Sequence, residues 1–195
     1  LEKEREVIID EINSYKDSPS EIIFDEFERF LLKNNSLGNR ILGTKKTLNS
    51  INKIDLISFF KNEMIPKNSF FSYVGPIDYL EIKDNCNIFN AKNSNDNLLI
   101  SKRITPSFIK FRRSYNKNCY QSHCIVGIIL PNFEKKTARM ISFINNVLGG
   151  SSINSLLNLN LREKNALTYN IESSYNIYSD ISVFQIYFGS SISKV

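Results

Sequence analysis

The sequence predicts an α+β fold in which two similar domains, each a mostly antiparallel sheet covered by helices, are both truncated. Helical stripes fill residues 1–63 and give way to a strand pattern at 69–74, which is typical of this class. The periodic signal then fades, and from Tyr120 onward a strand, a helix and further strands repeat the same architecture. We therefore expect a first domain in residues 1–90, a linker in 91–118 and a second domain in 119–195.

The first helix is predicted at residues 1–15, because apolar side chains recur there with helical spacing and polar ones lie opposite. Glu4 and Glu11 interrupt this pattern, since both fall on the apolar side, seven positions and therefore about two turns apart. A carboxylate that faces a core is costly unless it meets a cation, a metal or hydrogen-bond donors. An acid at the edge of the stripe that reaches water explains the pair equally well from geometry alone.

Three more helices and a strand are predicted to complete the first domain. A turn around Pro19 precedes the second helix, a loop covers 35–44, and short helices follow at 45–51 and 53–63. The strand at Ser69 to Val74 is stopped by Gly75 and Pro76. The predicted buried side chains are Ile23, Phe24, Phe27, Phe30 and Leu31 in the second helix and Leu56, Ile57, Phe59 and Phe60 in the last.

The second domain begins with a nearly unbroken apolar strand at 123–130, followed by a helix with the stripe Thr137, Ile141, Ile144 and Leu148. The stretch 149–175 then predicts a capped short helix with Arg162 at its exit and a strand that carries Tyr169. A last strand is predicted at 182–188. From spacing alone we favour a helix C-terminal cation and an interface tyrosine, although both side chains could reach one ligand.

The composition is that of a globular protein, with 42% hydrophobic and 12% aromatic residues in 195. No window approaches the roughly 18 consecutive apolar residues of a membrane helix. The net charge of +5 is spread along the chain, so a basic nucleic-acid binder rests on charge alone and no nucleic-acid partner is expected. Because the chain starts at Leu1, already inside a helical pattern, we expect it to be a fragment.

The cysteines, Cys86, Cys119 and Cys124, form an odd set without the paired spacing of a zinc or redox motif. We therefore expect reduced thiols in the core or in loops rather than a disulfide.

The run Leu161-Arg162-Glu163-Lys164, followed by Leu167, Tyr169 and Glu172-Ser173, resembles the signature of the insulinase, pitrilysin and mitochondrial processing peptidase family of inverted zinc peptidases. The resemblance implies that Arg162 and Tyr169 hold bound substrate from the C-terminal half of the molecule. It also implies that 1–90 is the second half of an N-terminal metallopeptidase-like domain and 119–195 the first half of a C-terminal one. Ala166 stands where this family usually has glycine.

The glutamate pair resembles the same family, in which two glutamates follow a His-x-x-Glu-His helix. By this resemblance Glu11 is the third zinc ligand, and Glu4 is a carboxylate that orients a ligand or tunes its charge. No His-x-x-Glu-His occurs in the chain, and its one histidine, His123, lies in a segment that resembles a structural strand of the family. The resemblance therefore implies a zinc cofactor whose site this chain leaves incomplete.

The function that the resemblance implies is a zinc-dependent endopeptidase acting on extended peptides or unfolded protein. The intact protein would be the enzyme, and this fragment alone would be inactive and poorly soluble. The alternative is a non-catalytic partner subunit or peptide-binding module of the same family. The implied partners are a peptide substrate and a second copy or paired subunit. A cytoplasmic or periplasmic location is expected if the protein is bacterial.

Overall fold

The computed structural model describes residues 1–33, 35–65, 68–69, 72–85, 110–131, 134–178 and 180–194. Helices α1 to α6 span Glu2–Lys16, Pro19–Leu31, Lys45–Ser50, Lys53–Glu63, Tyr79–Asn85 and Lys135–Gly149. A π-helix covers Asn158–Lys164, and short 3₁₀ helices lie at Ser36–Gly38 and Ile192–Lys194. Strands β1 to β3 span Ser122–Pro131, Asn170–Ile177 and Ile181–Ser190. The predicted α+β class is confirmed.

The three strands form one antiparallel sheet in the order β1-β3-β2. Ile129 of β1 lies opposite Val183 of β3, and Glu172 of β2 lies opposite Tyr187 of β3. Because successive side chains of a strand point to opposite faces, Tyr187 and Val183 share one face of β3, and Ile186 belongs to the other. The register therefore assigns each face of the sheet its own set of side chains.

Helices cover both faces of this sheet. On one face α2 and the residue directly after it contribute Phe27, Leu31 and Leu32 to a core whose other buried members are Ile129, Ile181 and Val183. On the other face, the Ser173 hydroxyl of β2 donates a hydrogen bond to the carbonyl oxygen of Asn145 in α6, over 3.1 Å. A helix, sheet and helix layering follows. Burial is incomplete on the face opposite α2, where Val126 and Ile128 of β1 are 61% and 53% exposed.

The chain divides into two compact units that do not follow sequence order. One consists of residues 1–6 and 44–102, and the other, which contains the sheet with α2 and α6, consists of 7–43 and 103–195. The linker expected at 91–118 falls largely on residues 86–109, which lie outside the described residues. The division into domains at 90 and 118 therefore stays a prediction.

Two predictions for the first domain are wrong as far as the chain is described. Residues 72–74 form no strand, while 70 and 71 of the predicted strand at 69–74 lie outside the described residues. The stripe predicted to be buried in α4 is between 44% and 63% exposed: Leu56, Ile57, Phe59 and Phe60. The helix forms at its predicted position because Asn52 and Asp55 close a capping box at its N-terminus, which stabilises it without burial.

In the second domain the predicted stripe of α6 is buried only in part. Ile141 and Leu148 are half-buried, whereas Ile144 is 54% exposed because the sheet, three strands wide in the described ranges, covers one side of α6. No helix in the described ranges is long and apolar enough to cross a lipid bilayer.

Candidate functional site

Arg162 and Tyr169 flank the turn that connects the π-helix to β2. Arg162 lies in the last turn of the π-helix, and Tyr169 directly precedes the first residue of β2. The π-helix begins at Asn158, whose side-chain amide donates a hydrogen bond to the hydroxyl of the buried residue Ser155 over 2.8 Å. A π-helix is rare in proteins and occurs frequently at functional sites. Arg162 lies at the helix end as predicted, and Tyr169 lies one residue before the strand that was predicted to carry it, while the roles of both stay predictions.

The helix side of this turn is fixed through backbone hydrogen bonds. The amide of Ala166 donates to the carbonyl oxygen of Arg162 over 3.0 Å, and the amide of Leu167 donates to that of Leu161 over 2.8 Å. These bonds satisfy carbonyl groups that a helix end leaves without partners. The backbone of Arg162 is thereby held in place, although its side chain extends into solvent.

Ala166 adopts a left-handed backbone conformation in this turn, with φ at 49°. A side chain at a positive φ brings Cβ too close to the following carbonyl oxygen and costs roughly 1–2 kcal/mol. Glycine has no Cβ and avoids this cost. The glycine usual at this position in the resembling family thus has a physical reason here, since the turn itself requires the left-handed conformation.

The strand side of the turn is held by residues at the end of β3 and beyond it. The Ser190 hydroxyl donates to the carbonyl oxygen of Leu167, and Nζ of Lys194 donates to that of Ala166. The amide of Tyr169 donates to the carbonyl oxygen of Gly189 over 2.8 Å. Ser190 and Lys194 are not predicted from the sequence, because no local motif links them to a turn more than twenty residues away.

The side chains of the candidate pair are accessible. The side chain of Arg162 is 47% exposed and that of Glu163 is 49% exposed, with 3.6 Å between Nε of Arg162 and Oε1 of Glu163. An ion pair that is so long and so exposed is screened by water and adds little stability. Tyr169 is 61% exposed. Guanidinium and phenol groups that keep free donors on a fixed backbone can both bind carbonyl oxygens of a ligand.

Glu4 and Glu11 both lie exposed on α1. Of the two explanations that the sequence left open, the exposed position agrees with acids that reach water. Within the described ranges, no group of three His, Cys, Asp or Glu side chains is arranged to hold a metal ion. Glu11 can offer one oxygen ligand, but a zinc site of three protein ligands does not arise from the described residues alone.

His123 lies partly buried on β1, with Nδ1 2.8 Å from the hydroxyl oxygen of Tyr187. Burial lowers the pKa of His123 below its ordinary value of 6.5. Burial also raises the pKa of Tyr187, and the nearby charge of Glu172 raises it further. The contact joins two strands of the sheet, which agrees with the structural role predicted for His123. Cys119 and Cys124 are free thiols, and Cys86 lies outside the described residues.

A sequence model described as "Peptidase M16 inactive domain" matches residues 50–194. Among curated proteins, the chain is 29% identical over 195 residues to the uncharacterized zinc protease YmxG of Bacillus subtilis (strain 168), covering 100% of this chain and 47% of that protein. The chain therefore spans about half the length of this relative.

Several solved structures share the fold. A peptidase M16 inactive domain from Pseudomonas fluorescens matches with a TM-score of 0.77 at 16% identity, covering 97% of this chain and 46% of that one. A protease from Helicobacter pylori matches with a TM-score of 0.77 at 19% identity, covering 97% and 47%. At these identities the likeness concerns the fold, in which this chain again corresponds to about half.

Proposed function

Because the chain belongs to the peptidase M16 inactive-domain family, as its resemblance predicted, we propose that the intact protein is a zinc-dependent endopeptidase that acts on extended peptides. The observation that carries this proposal is the exposed pair of Arg162 and Tyr169 on one fixed turn. The zinc-protease name of the Bacillus subtilis relative supports the same class of reaction. The segment described here contributes substrate contacts, and polypeptide outside it contributes most of the metal site.

In the proposed complex, Arg162 and Tyr169 bind the peptide backbone. The guanidinium of Arg162 carries several fixed N–H donors, and the phenol of Tyr169 adds an O–H donor, so both suit carbonyl oxygens. Donors aimed at an oxygen that gains negative charge stabilise it most when their positions are fixed in advance and water is excluded. Backbone contacts of this kind select peptides that can extend, with little regard to their side chains.

We assign Glu11 as one ligand of the zinc ion and Glu4 as a carboxylate that orients the metal site through hydrogen bonds. Because Glu11 is exposed, its carboxylate is available to a zinc ion whose other ligands another part of the polypeptide supplies. The described residues do not form a complete metal site, so each step proposed for this chain concerns peptide binding.

The proposal is tested with the full-length protein. We expect it to contain zinc, to cleave an unfolded model protein and a quenched fluorescent peptide, and to lose both activities on chelation with recovery after zinc is restored. A purified protein without stoichiometric zinc that binds these peptides without cleaving them would contradict the enzyme. That result would instead support a non-catalytic partner subunit or peptide-binding module of the same family.

A further inference from the structure

Two consecutive backbone carbonyl groups at the centre of the turn each accept a hydrogen bond, one from the last residue of β3 and one from a side chain beyond that strand. Ser190 donates to Leu167, and Lys194 donates to Ala166. We infer that Ser190 and Lys194 are positioning residues that hold Arg162 and Tyr169 in the geometry that stabilisation of the transition state requires. This inference rests on the proposed function and adds to it two residues that do not themselves contact substrate.

The turn needs such support because its conformation is strained. Ala166 is the one described residue other than glycine with a positive φ, at 49°. Strained backbone of this kind is unfavourable and persists only when its surroundings determine it. The hydrogen bonds to Arg162 and Leu161 fix only the helix side of the turn. The two side-chain donors fix the carbonyl groups that point the other way.

The two donors differ in burial and therefore in how they act. Ser190 is 1% exposed, and its main chain pairs with Ser122 of β1, so its hydroxyl is delivered from the rigid end of the sheet. Lys194 is exposed and lies on the short 3₁₀ helix after β3, so it reaches the turn across the surface. Together they connect the turn to both the sheet and the segment that leaves it.

The two carbonyl groups lie between the two candidate substrate contacts in the chain. Arg162 precedes Ala166 by four residues, and Tyr169 follows Leu167 by two. Tyr169 is itself tied to β3 through its amide, which donates to Gly189 over 2.8 Å. If the two carbonyl groups were released, the helix end and the start of β2 could move independently. Arg162 and Tyr169 would then lose their fixed relative position although neither side chain had been changed.

The test uses the full-length protein with Lys194→Met, Ser190→Ala and Lys194→Arg. As a matched control, Lys136→Met changes an exposed lysine of α6 that makes no hydrogen bond or ion pair within the described part of the chain. We expect Lys194→Met and Ser190→Ala to lower kcat about five- to tenfold with KM changed less than about twofold, because the contacts concern the transition state. Lys194→Arg, which keeps a donor, is expected to restore most of kcat, and the control to leave it unchanged.

A second readout does not depend on activity. Amide hydrogen exchange at residues 165–169 should accelerate by about fivefold or more in Lys194→Met and Ser190→Ala and stay unchanged in Lys136→Met, since local opening sets the exchange rate. In an Arg162→Ala background, Lys194→Met should reduce kcat less than about twofold further, because residues that act through one group are not additive.

The outcomes separate the two proposals. Amide exchange that is unchanged in both Lys194→Met and Ser190→Ala would overturn the positioning role whatever the activity. The role would also be overturned if Lys194→Met lowered kcat by the same factor in the wild-type protein and in the Arg162→Ala background. If the wild-type protein cleaves no peptide while Lys194→Met and Ser190→Ala show the expected faster exchange, the proposed peptidase is overturned and the positioning of the turn is retained. A loss of kcat that merely follows a lower melting temperature, and that Lys194→Arg does not reverse, would assign both residues to general stability.

Discussion

The hydroxyl oxygen of Tyr187 lies 2.8 Å from Nδ1 of His123, and the two rings stack with their centroids 6.1 Å apart. On the same face of the sheet, Phe24 of α2 packs on Tyr187 with ring centroids 5.1 Å apart, and Glu172 lies opposite Tyr187 on β2. This environment of aromatic rings and sheet backbone removes water from the imidazole. The folded state therefore favours the neutral form of His123, which is the cause of its lowered pKa.

The stability of the protein should accordingly depend on pH through His123. Its folded-state pKa lies below the unfolded value of 6.5, so as pH falls the unfolded chain takes up the proton first. The contribution of His123 is therefore complete above this unfolded pKa and is lost as pH falls from it through the folded-state pKa. We expect the melting temperature of the full-length protein to fall between about pH 8 and pH 5.5 more steeply than that of His123→Asn, which keeps a polar atom near the Nδ1 position but does not titrate.

Two partly buried carboxyl groups act in the opposite direction and at lower pH. Burial raises the pKa of Asp25 and of Glu28, so their contributions are present in acid and decline as pH rises. Because His123→Asn retains Asp25 and Glu28, the contributions of these two carboxyl groups cancel in the difference in melting temperature between wild type and the variant. If this difference were independent of pH, the imidazole would be as well solvated in the folded chain as in the unfolded one.

Ala166→Gly should stabilise the folded protein, because glycine reaches a φ of 49° without the clash that a Cβ produces. The expected gain in the free energy of unfolding is about 1 kcal/mol, reduced by the extra freedom of glycine in the unfolded chain. Ala138→Gly in α6 is the matched control and should cost roughly 1 kcal/mol, since a helix interior disfavours glycine. Chemical denaturation of the full-length variants measures both changes, and a destabilised Ala166→Gly would contradict the strained turn.

The sequence predicted most elements of the fold because their signals are local. The helix predicted at 1–15 is Glu2–Lys16, and the strand predicted at 123–130 is Ser122–Pro131. Periodic apolar residues and capping side chains lie within a few positions of each other, so a single sequence displays them. Burial is different, because it depends on which elements meet. Phe59 of α4 fits a helical stripe and yet is 63% exposed.

The candidate site shows the same division. The sequence placed Arg162 at the end of a helix and Tyr169 on a strand, which begins one residue later in the structure, and each position follows from neighbouring residues. The donors that fix the turn between them come from Ser190 and Lys194, which are 23 and 28 residues away from the carbonyl groups that they bind. A serine and a lysine at such separations carry no pattern of their own. Their contribution follows only from the register of β3 beside β2.

The proposed metal site predicts a graded response of three glutamates on α1. In the full-length protein, Glu11→Gln should reduce bound zinc to below about half of wild type, because a ligand is lost. Glu4→Gln should weaken zinc affinity by about 10- to 100-fold, as is usual for groups that orient a ligand. Glu6→Gln, also exposed on α1, is the matched control and should leave zinc unchanged. Metal analysis after dialysis measures all three, and equal zinc in Glu11→Gln and Glu6→Gln would remove Glu11 from the metal site.

Arg162 and Tyr169 should affect turnover without affecting the metal. Removing a single donor to an oxygen that gains charge costs about 10²–10³ in kcat, so we expect losses of this order for Arg162→Ala and for Tyr169→Phe. Arg162→Lys keeps the charge but not the planar set of donors, and should recover only part of the loss. Steady-state kinetics with a quenched peptide and metal analysis of the same full-length samples measure both properties. A drop in zinc content that accompanies the loss of kcat would mean that these residues support the metal site, and an unchanged kcat in both variants would exclude them from substrate binding.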